Sequence, residues 1–159
     1  MYDNVKNNFI TKWYQYFLYS FTSPGRRMFN ILDHVAIVVN DIDRSLLIWK
    51  EKFGLKISAD EIVANGGIRL LHLDVENMQI QLLQPLDDRH PIAEWLKQHG
   101  EGLHHLCFYV DDFDTAINFA KATGLVKPEV MPHDGPHKKR AIFLDTDKSM
   151  GVRIELTGN

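Results

Sequence analysis

The chain has 159 residues, 45% of them apolar, and a formal charge of −3 from 18 basic and 21 acidic residues. That is one domain with a core of ordinary size, and the charge argues against a nucleic-acid partner. A single cysteine, Cys107, excludes an internal disulfide and a multi-cysteine zinc site, and makes a reducing, cytoplasmic setting the expectation.

Residues 1–30 read unlike the rest. The stretch from Ile10 to Phe21 is dense in aromatics, but too short and interrupted for a membrane span. It also lacks the small-residue cleavage site of a signal peptide. Ser23-Pro24-Gly25 then breaks the chain. The segment reads as an N-terminal extension, with Met28 as an alternative start. Another reading is a short helix whose aromatic face docks on a partner subunit or a membrane surface. No later run could span a bilayer.

From residue 31 onward the elements repeat. A strand rich in Val and Ile is expected over 31–39, then a helix capped by Asp41 or Asp43 and running to about Phe53, stopped by Gly54. Strands follow near 57–63, 68–74 and 78–84, the last two joined by a tight turn at Glu76-Asn77. Pro91 opens a short connecting helix over about 91–99, closed by Gly100. A second unit then brings a strand at 103–110, a helix at about 113–122, and strands near 127–131, 139–145 and 151–157. Trp49, Phe53, Phe113 and Phe119 fall at helical spacing and read as core.

The two units match in register. Leu32-Asp33-His34-Val35 corresponds to Leu103-His104-His105-Leu106, and Leu70-Leu71-His72-Leu73-Asp74 to Ala141-Ile142-Phe143-Leu144-Asp145, each 71 positions later. Gln79-Ile80-Gln81-Leu82 corresponds to Arg153-Ile154-Glu155-Leu156 at 74, which places three extra residues in the second copy's hairpin loop. Gly54-Leu55 also corresponds to Gly124-Leu125, 70 positions later, and four ordered matches argue for duplication. The fold class is α+β, built from tandem βαβββ modules at about 31–86 and 103–157 within one domain, 31–159.

Of the eight histidines, the repeat singles out two. His34 and His105 open equivalent strands, and Gln81 and Glu155 sit on equivalent final strands. Two imidazoles, an amide and a carboxylate suit a divalent metal with open positions. Each residue alone also fits a structural or solvated role, because Gln81 and Glu155 alternate with apolar neighbours. Strict alternation sends His104 to the opposite sheet face from His105. His90, His99, His133 and His137 read as solvated or as substrate contacts.

At these residues the sequence resembles the vicinal-oxygen-chelate superfamily, the glyoxalase, bleomycin-resistance and dioxygenase proteins, and within it the methylmalonyl-CoA epimerases. The resemblance runs from about Ile31 to Leu156. It is most specific at Leu32-Asp33-His34-Val35-Ala36-Ile37, Gln81-Leu82-Leu83-Gln84-Pro85-Leu86, Gly100-Glu101-Gly102-Leu103-His104-His105-Leu106 and Gly151-Val152-Arg153-Ile154-Glu155-Leu156. It implies paired modules forming a cupped mixed sheet around the metal. It also implies His34, Gln81, His105 and Glu155 as ligands of Co, Zn, Ni, Mn or Fe.

The implied reaction inverts the carbon α to a CoA thioester, with Glu155 as one acid/base group. The implied partners are a small-molecule substrate, such as a CoA thioester, and a second copy of the chain in a homodimer. The second glutamate of these epimerases falls here on Asn65, or on Ala64 with another gap placement, and neither can act as a base. Asn65 is then expected to contact substrate, and His72, which has a suitable pKa, is the candidate second base. Lys139, within Lys138-Lys139-Arg140, is a candidate contact for substrate phosphate, as is Lys148.

Other members of the superfamily frame the alternatives. A glyoxalase I-like lyase uses two glutamates and no such histidine pair. A ring-cleaving dioxygenase keeps the Gln81 position open. A non-catalytic ligand-binding member often lacks the metal ligands altogether.

Overall fold

In a computed structural model of the chain, residues 28–29, 31–63, 65–135 and 139–159 are described. The aromatic segment over 10–21 and its docking role lie outside the described residues, as do Ala64, His137 and Lys138. Met28 and Phe29 are described. They pack on the second module, where Phe29 stacks on Phe108 with ring centroids 4.6 Å apart.

Eight strands form one sheet: β1 (Ile31–Val38), β2 (Lys56–Val63), β3 (Ile68–Asp74), β4 (Gln79–Pro85), β5 (Gly102–Tyr109), β6 (His133–Asp134), β7 (Arg140–Phe143) and β8 (Ile154–Gly158). Their order is β2-β3-β4-β1-β5-β8-β7-β6. Read outward from the centre, both halves follow one rule. The first strand of each module pairs parallel with that module's last, β1 with β4 and β5 with β8. The modules meet where β1 and β5 pair antiparallel. The duplication is therefore a pseudo-twofold, and its axis passes between the two strands that carry His34 and His105.

Helix α1 (Ile42–Trp49) is capped by Asp41, whose carboxylate accepts from the Arg44 N–H. The counterpart α3 (Phe113–Ala122) is capped by Asp112, which accepts from the Thr115 N–H. After Trp49 the turn widens, because the Glu51 and Phe53 amides reach carbonyls five residues back. Gly54, at φ +76°, then ends the segment as expected. Helix α2 (Pro91–His99) has Pro at its first turn and His90 as its cap, which accepts from the Ile92 N–H. The Val75 N–H and Met78 carbonyl close the Glu76-Asn77 turn at 3.0 Å.

Strand alternation divides the core between the two sheet faces. Leu71, Leu73 and Leu82 pack under α1, and Ile142, Leu144 and Leu156 under α3. On the other face, Ala36, Val38, Leu70 and Leu83 pack against Trp95 and Leu96 of α2. So α1 and α3 cover one face, and α2 lies across the first module's half of the other.

Three expectations need correction. No strand forms over 127–131. Pro128 and Pro132 lack N–H groups, and the Val130 N–H closes a turn onto the Lys127 carbonyl, so the strand is β6, two residues further on. Phe53 is 62% exposed, because the widened turn carries it off the helix stripe. It stands edge-on to Trp49, which is half-buried, as is Phe119. His104 does not point away from His105, for a reason given below.

A candidate metal centre

His34 on β1, His105 on β5 and Glu155 on β8 converge across the pseudo-twofold. His105 Nε2 is 3.4 Å from both His34 Nε2 and Glu155 Oε2, and His34 Nε2 is 3.7 Å from the same oxygen. All three residues are buried, and their ligand atoms lie within 4.8 Å of one another. Glu155 therefore does not face solvent, although its alternation with Ile154 and Leu156 would permit it. Gln81 is 3% exposed, and its amide Nε2 donates to His72 Nε2 at 2.8 Å. That bond leaves the amide oxygen as the free end, the atom a hard or borderline cation takes.

Two β-bulges set the imidazoles. Between Leu32 and His34 the β1–β5 pairing slips by one residue, with Asp33 extra; between Ala36 and Ile37 it slips again, with His104 extra on β5. A bulge breaks strict alternation and lets adjacent side chains meet. Asp33 Oδ1 accepts from His34 Nδ1 at 2.9 Å, and His104 Nδ1 lies 2.7 Å from His105 Nδ1. Asp33 and His104 are 71 positions apart, as the histidine ligands are. Each ligand thus has its Nδ1 engaged and its Nε2 turned inward, the arrangement that fixes tautomer and ring orientation at metal sites.

The electrostatics fit a cation. Burial acts to raise the Asp33 pKa, but bonds from His34 and Lys139 outweigh it and hold the carboxyl at about 2. That carboxylate accepts from His34 Nδ1, which leaves Nε2 as the ring nitrogen turned toward the centre. Burial pulls His105 down, which keeps it neutral. Burial alone would raise Glu155 too, yet hydrogen bonds with His105 and His133 hold it well below the usual carboxylate range. Electron-rich atoms of three side chains then face one another, at a separation a single proton bridges only pairwise. A divalent ion at about 2 Å from each satisfies all of them. Cys107, buried beside Asp33 and His34, is pushed far up by burial, so it stays a thiol.

The centre opens into a cavity of about 950 Å³ between the sheet and α2. Asn65 lines it, at φ +53°, a left-handed turn conformation that asparagine tolerates. His72 is 2% exposed and sits behind Gln81 rather than among the lining residues. Lys139 is also absent from the wall. Its Nζ is 3.0 Å from Asp33 Oδ2 and lies over the Tyr109 ring. Arg140 pairs with Asp114, and Lys148 is exposed.

His133, expected to be solvated or a substrate contact, is exposed and lines the cavity, where it donates to Glu155 Oε1 at 3.2 Å and stacks on Phe143. His90 and His99, expected likewise, line it too. The sequence did not single out Arg153, which also lines it, nor the supporting parts of Asp33 and His104; of these, Asp33 and His104 carried a signal, the repeat offset they share with His34 and His105.

The comparisons with known proteins bear on the family and the fold. Residues 33–156 match a family model described as the glyoxalase/bleomycin resistance protein/dioxygenase superfamily. A mitochondrial methylmalonyl-CoA epimerase of Dictyostelium discoideum is 32% identical over 144 residues, covering 85% of this chain and 87% of that protein. An ethylmalonyl-CoA/methylmalonyl-CoA epimerase of Cereibacter sphaeroides is 30% identical over 131 residues, covering 81% of this chain and 98% of the relative. The crystal structure of the methylmalonyl-CoA epimerase from Mycobacterium tuberculosis superposes with a TM-score of 0.78 at 29% identity, covering 87% of this chain and 94% of that one. The cupped eight-stranded sheet is common to both.

Proposed function

The chain belongs to the glyoxalase/bleomycin resistance protein/dioxygenase superfamily, and from that premise we propose that it is a divalent-metal-dependent epimerase acting on the carbon α to a CoA thioester. One observation carries the reading: His34, His105 and Glu155 bring three candidate ligand atoms within 4.8 Å of one another, and His105 and Glu155 also line the cavity. With Gln81 they form a His, His, Gln, Glu set suited to Co, Zn, Ni, Mn or Fe. When bound, the ion supplies a Lewis acid that stabilises negative charge on the thioester oxygen as the α-proton leaves.

The residues of the chain supply the rest. Glu155 is the acid/base group on one face, as well as a ligand. His133, bonded to its other oxygen and open to the cavity, gives the proton a route out of the carboxyl. Asn65 reaches the acyl group as a hydrogen-bonding amide. Inversion requires a second acid/base group on the opposite face. On that half, the strand and turn residues that line the cavity, Val63, Asn65, Ile68, Leu70 and Leu83, carry no titratable side chain, and the titratable ones, His90, Glu94 and His99, come from α2 and its cap. His72, on β3 behind Gln81, is the candidate. Lys139 supports Asp33, and through it His34. A homodimer and a cytoplasmic setting complete the reading; among the described residues no helix is long and apolar enough to cross a membrane.

Proton–deuterium exchange at the α-carbon of methylmalonyl-CoA in D₂O, with Co²⁺ or Zn²⁺ added, tests the activity. Exchange well above the protein-free rate is expected, and none would sink the epimerase reading. His72→Ala separates two parts for that residue. Exchange lost at constant metal content marks a base, whereas metal lost marks His72 as the anchor of the Gln81 amide. A lyase or dioxygenase activity has less support, because the relatives described above are named as epimerases.

A further inference from the structure

The cavity wall holds one cation that the metal centre does not use. Arg153 immediately precedes β8, and its carbonyl accepts from the Leu106 N–H at 3.1 Å, so its backbone is already part of the sheet. Residues two apart on an extended strand share a face. Arg153 and Glu155 accordingly both line the cavity. Arg153 is half-buried, and among the described residues no carboxylate lies within ion-pairing distance of its guanidinium.

Arg44 also has no carboxylate partner among the described residues, but it is exposed and outside the cavity; three other arginines are paired. Arg69 is held by Asp60 and Asp43, Arg89 by Asp87 and Arg140 by Asp114. A guanidinium is charged at every working pH and offers donors in a fork that matches a carboxylate. Facing a cavity without a partner, it is a receptor for an anion brought by the ligand.

The position says which anion. Arg153 stands about 7 Å along the strand from Glu155, a span its own side chain covers. With a thioester oxygen held at the metal centre, the anion within its reach is on the acyl group, a few bonds from the reacting carbon. The phosphates of a CoA carrier lie beyond a long pantetheine arm. We propose that Arg153 is the residue of this chain that grips the free carboxylate of the acyl group and so sets how strongly that carboxylate counts in binding. This rests on the thioester reading and deepens it, because it names the residue that recognises the acid.

The test uses metal-loaded protein and two substitutions, Arg153→Leu and Arg153→Lys. Calorimetric titrations with malonate and with free coenzyme A separate the acyl carboxylate from the carrier phosphates. Arg153→Leu should weaken malonate binding by about tenfold or more, the usual size for a charged hydrogen-bonded contact. Binding of coenzyme A should be unchanged, and Arg153→Lys should recover part of the loss. In exchange assays KM for methylmalonyl-CoA should rise more than kcat falls, with propionyl-CoA unaffected. Arg153→Lys, which keeps the charge, carries the comparison if the leucine variant loses metal. Malonate affinity unchanged within twofold in Arg153→Leu, or a loss falling on coenzyme A instead, overturns the proposal. A wild-type protein that binds malonate through Arg153 yet exchanges no methylmalonyl-CoA keeps this inference and refutes the epimerase reading.

Discussion

The two modules have the same backbone and different chemistry. Each puts a histidine on its first strand, a bulge residue against that histidine's Nδ1, and an oxygen donor on its last strand. In the first module the bulge residue is the anion Asp33 and the oxygen donor is the neutral Gln81. In the second the bulge residue is His104 and the oxygen donor is the anion Glu155. Each half therefore contributes one carboxylate, placed differently: behind the imidazole in one, in the centre itself in the other. Phe143 stands where the first module has His72, and it packs on His105 and His133. The duplicated backbone fixes where the donors point, and the side chains decide which half carries charge.

The strongest way to break this comparison is to remove one donor from the second half. His105→Ala and Glu155→Gln should each abolish exchange and lower metal content by more than about 100-fold, beyond what an orienting partner supplies. Metal analysis of purified protein checks this; a His105→Ala protein that holds metal as well as wild type refutes the ligand assignment.

Core deletions should show instead how alike the halves are. Leu82 and Leu156 are both fully buried at repeat-equivalent positions, one under α1 and one under α3. Leu82→Ala and Leu156→Ala should each cost about 2–5 kcal/mol in denaturant titrations.

A smaller effect separates the bulge residues. Asp33→Asn and His104→Gln should weaken metal binding by about 10–100-fold, with Asp33→Asn the larger because it removes a charge-assisted bond. Equal losses would mean that the Asp33 charge contributes nothing.

The smallest difference is in acid stability. Burial, with the adjacent His105 second, lowers the His104 pKa from 6.5 to about 3. The unfolded chain then binds more protons in that window, so stability falls as pH drops below about 6.5 and through 3. Asp33, lowered from 3.8 to about 2, adds a loss confined to that lower range. Metal-free His104→Gln should keep its stability further into acid than wild type, whereas Asp33→Asn should be less stable than wild type above about pH 4 and lose that difference as pH falls toward 2. Thermal melts across the range read both.

Much of this was legible in the sequence because its signals are periodic. The repeat placed His34, His105, Gln81 and Glu155 at matching positions, and Asp41 and Gly54 marked the ends of the α1 segment. The fold confirms the strands and helices, except where Pro128 and Pro132 displaced β6. The illegible parts depend on single-residue departures from period. His104 was assigned to the wrong face because alternation holds only while pairing register is unbroken. The bond from His133 to Glu155 is illegible because nothing local shows that β6 folds back beside β7 and brings an imidazole there.

The sequence by itself determined a duplicated βαβββ chain with two equivalent histidines and two equivalent oxygen donors, since hydrophobic period and repeat offset are properties of the chain alone. Only the tertiary structure decided what surrounds them. Asp33 and His104 meet His34 and His105 through paired bulges, Lys139 is spent on Asp33, and Arg153 faces the cavity with no carboxylate partner among the described residues. Those outcomes depend on register and on contacts between distant segments, where a slip of one residue changes which face a side chain takes.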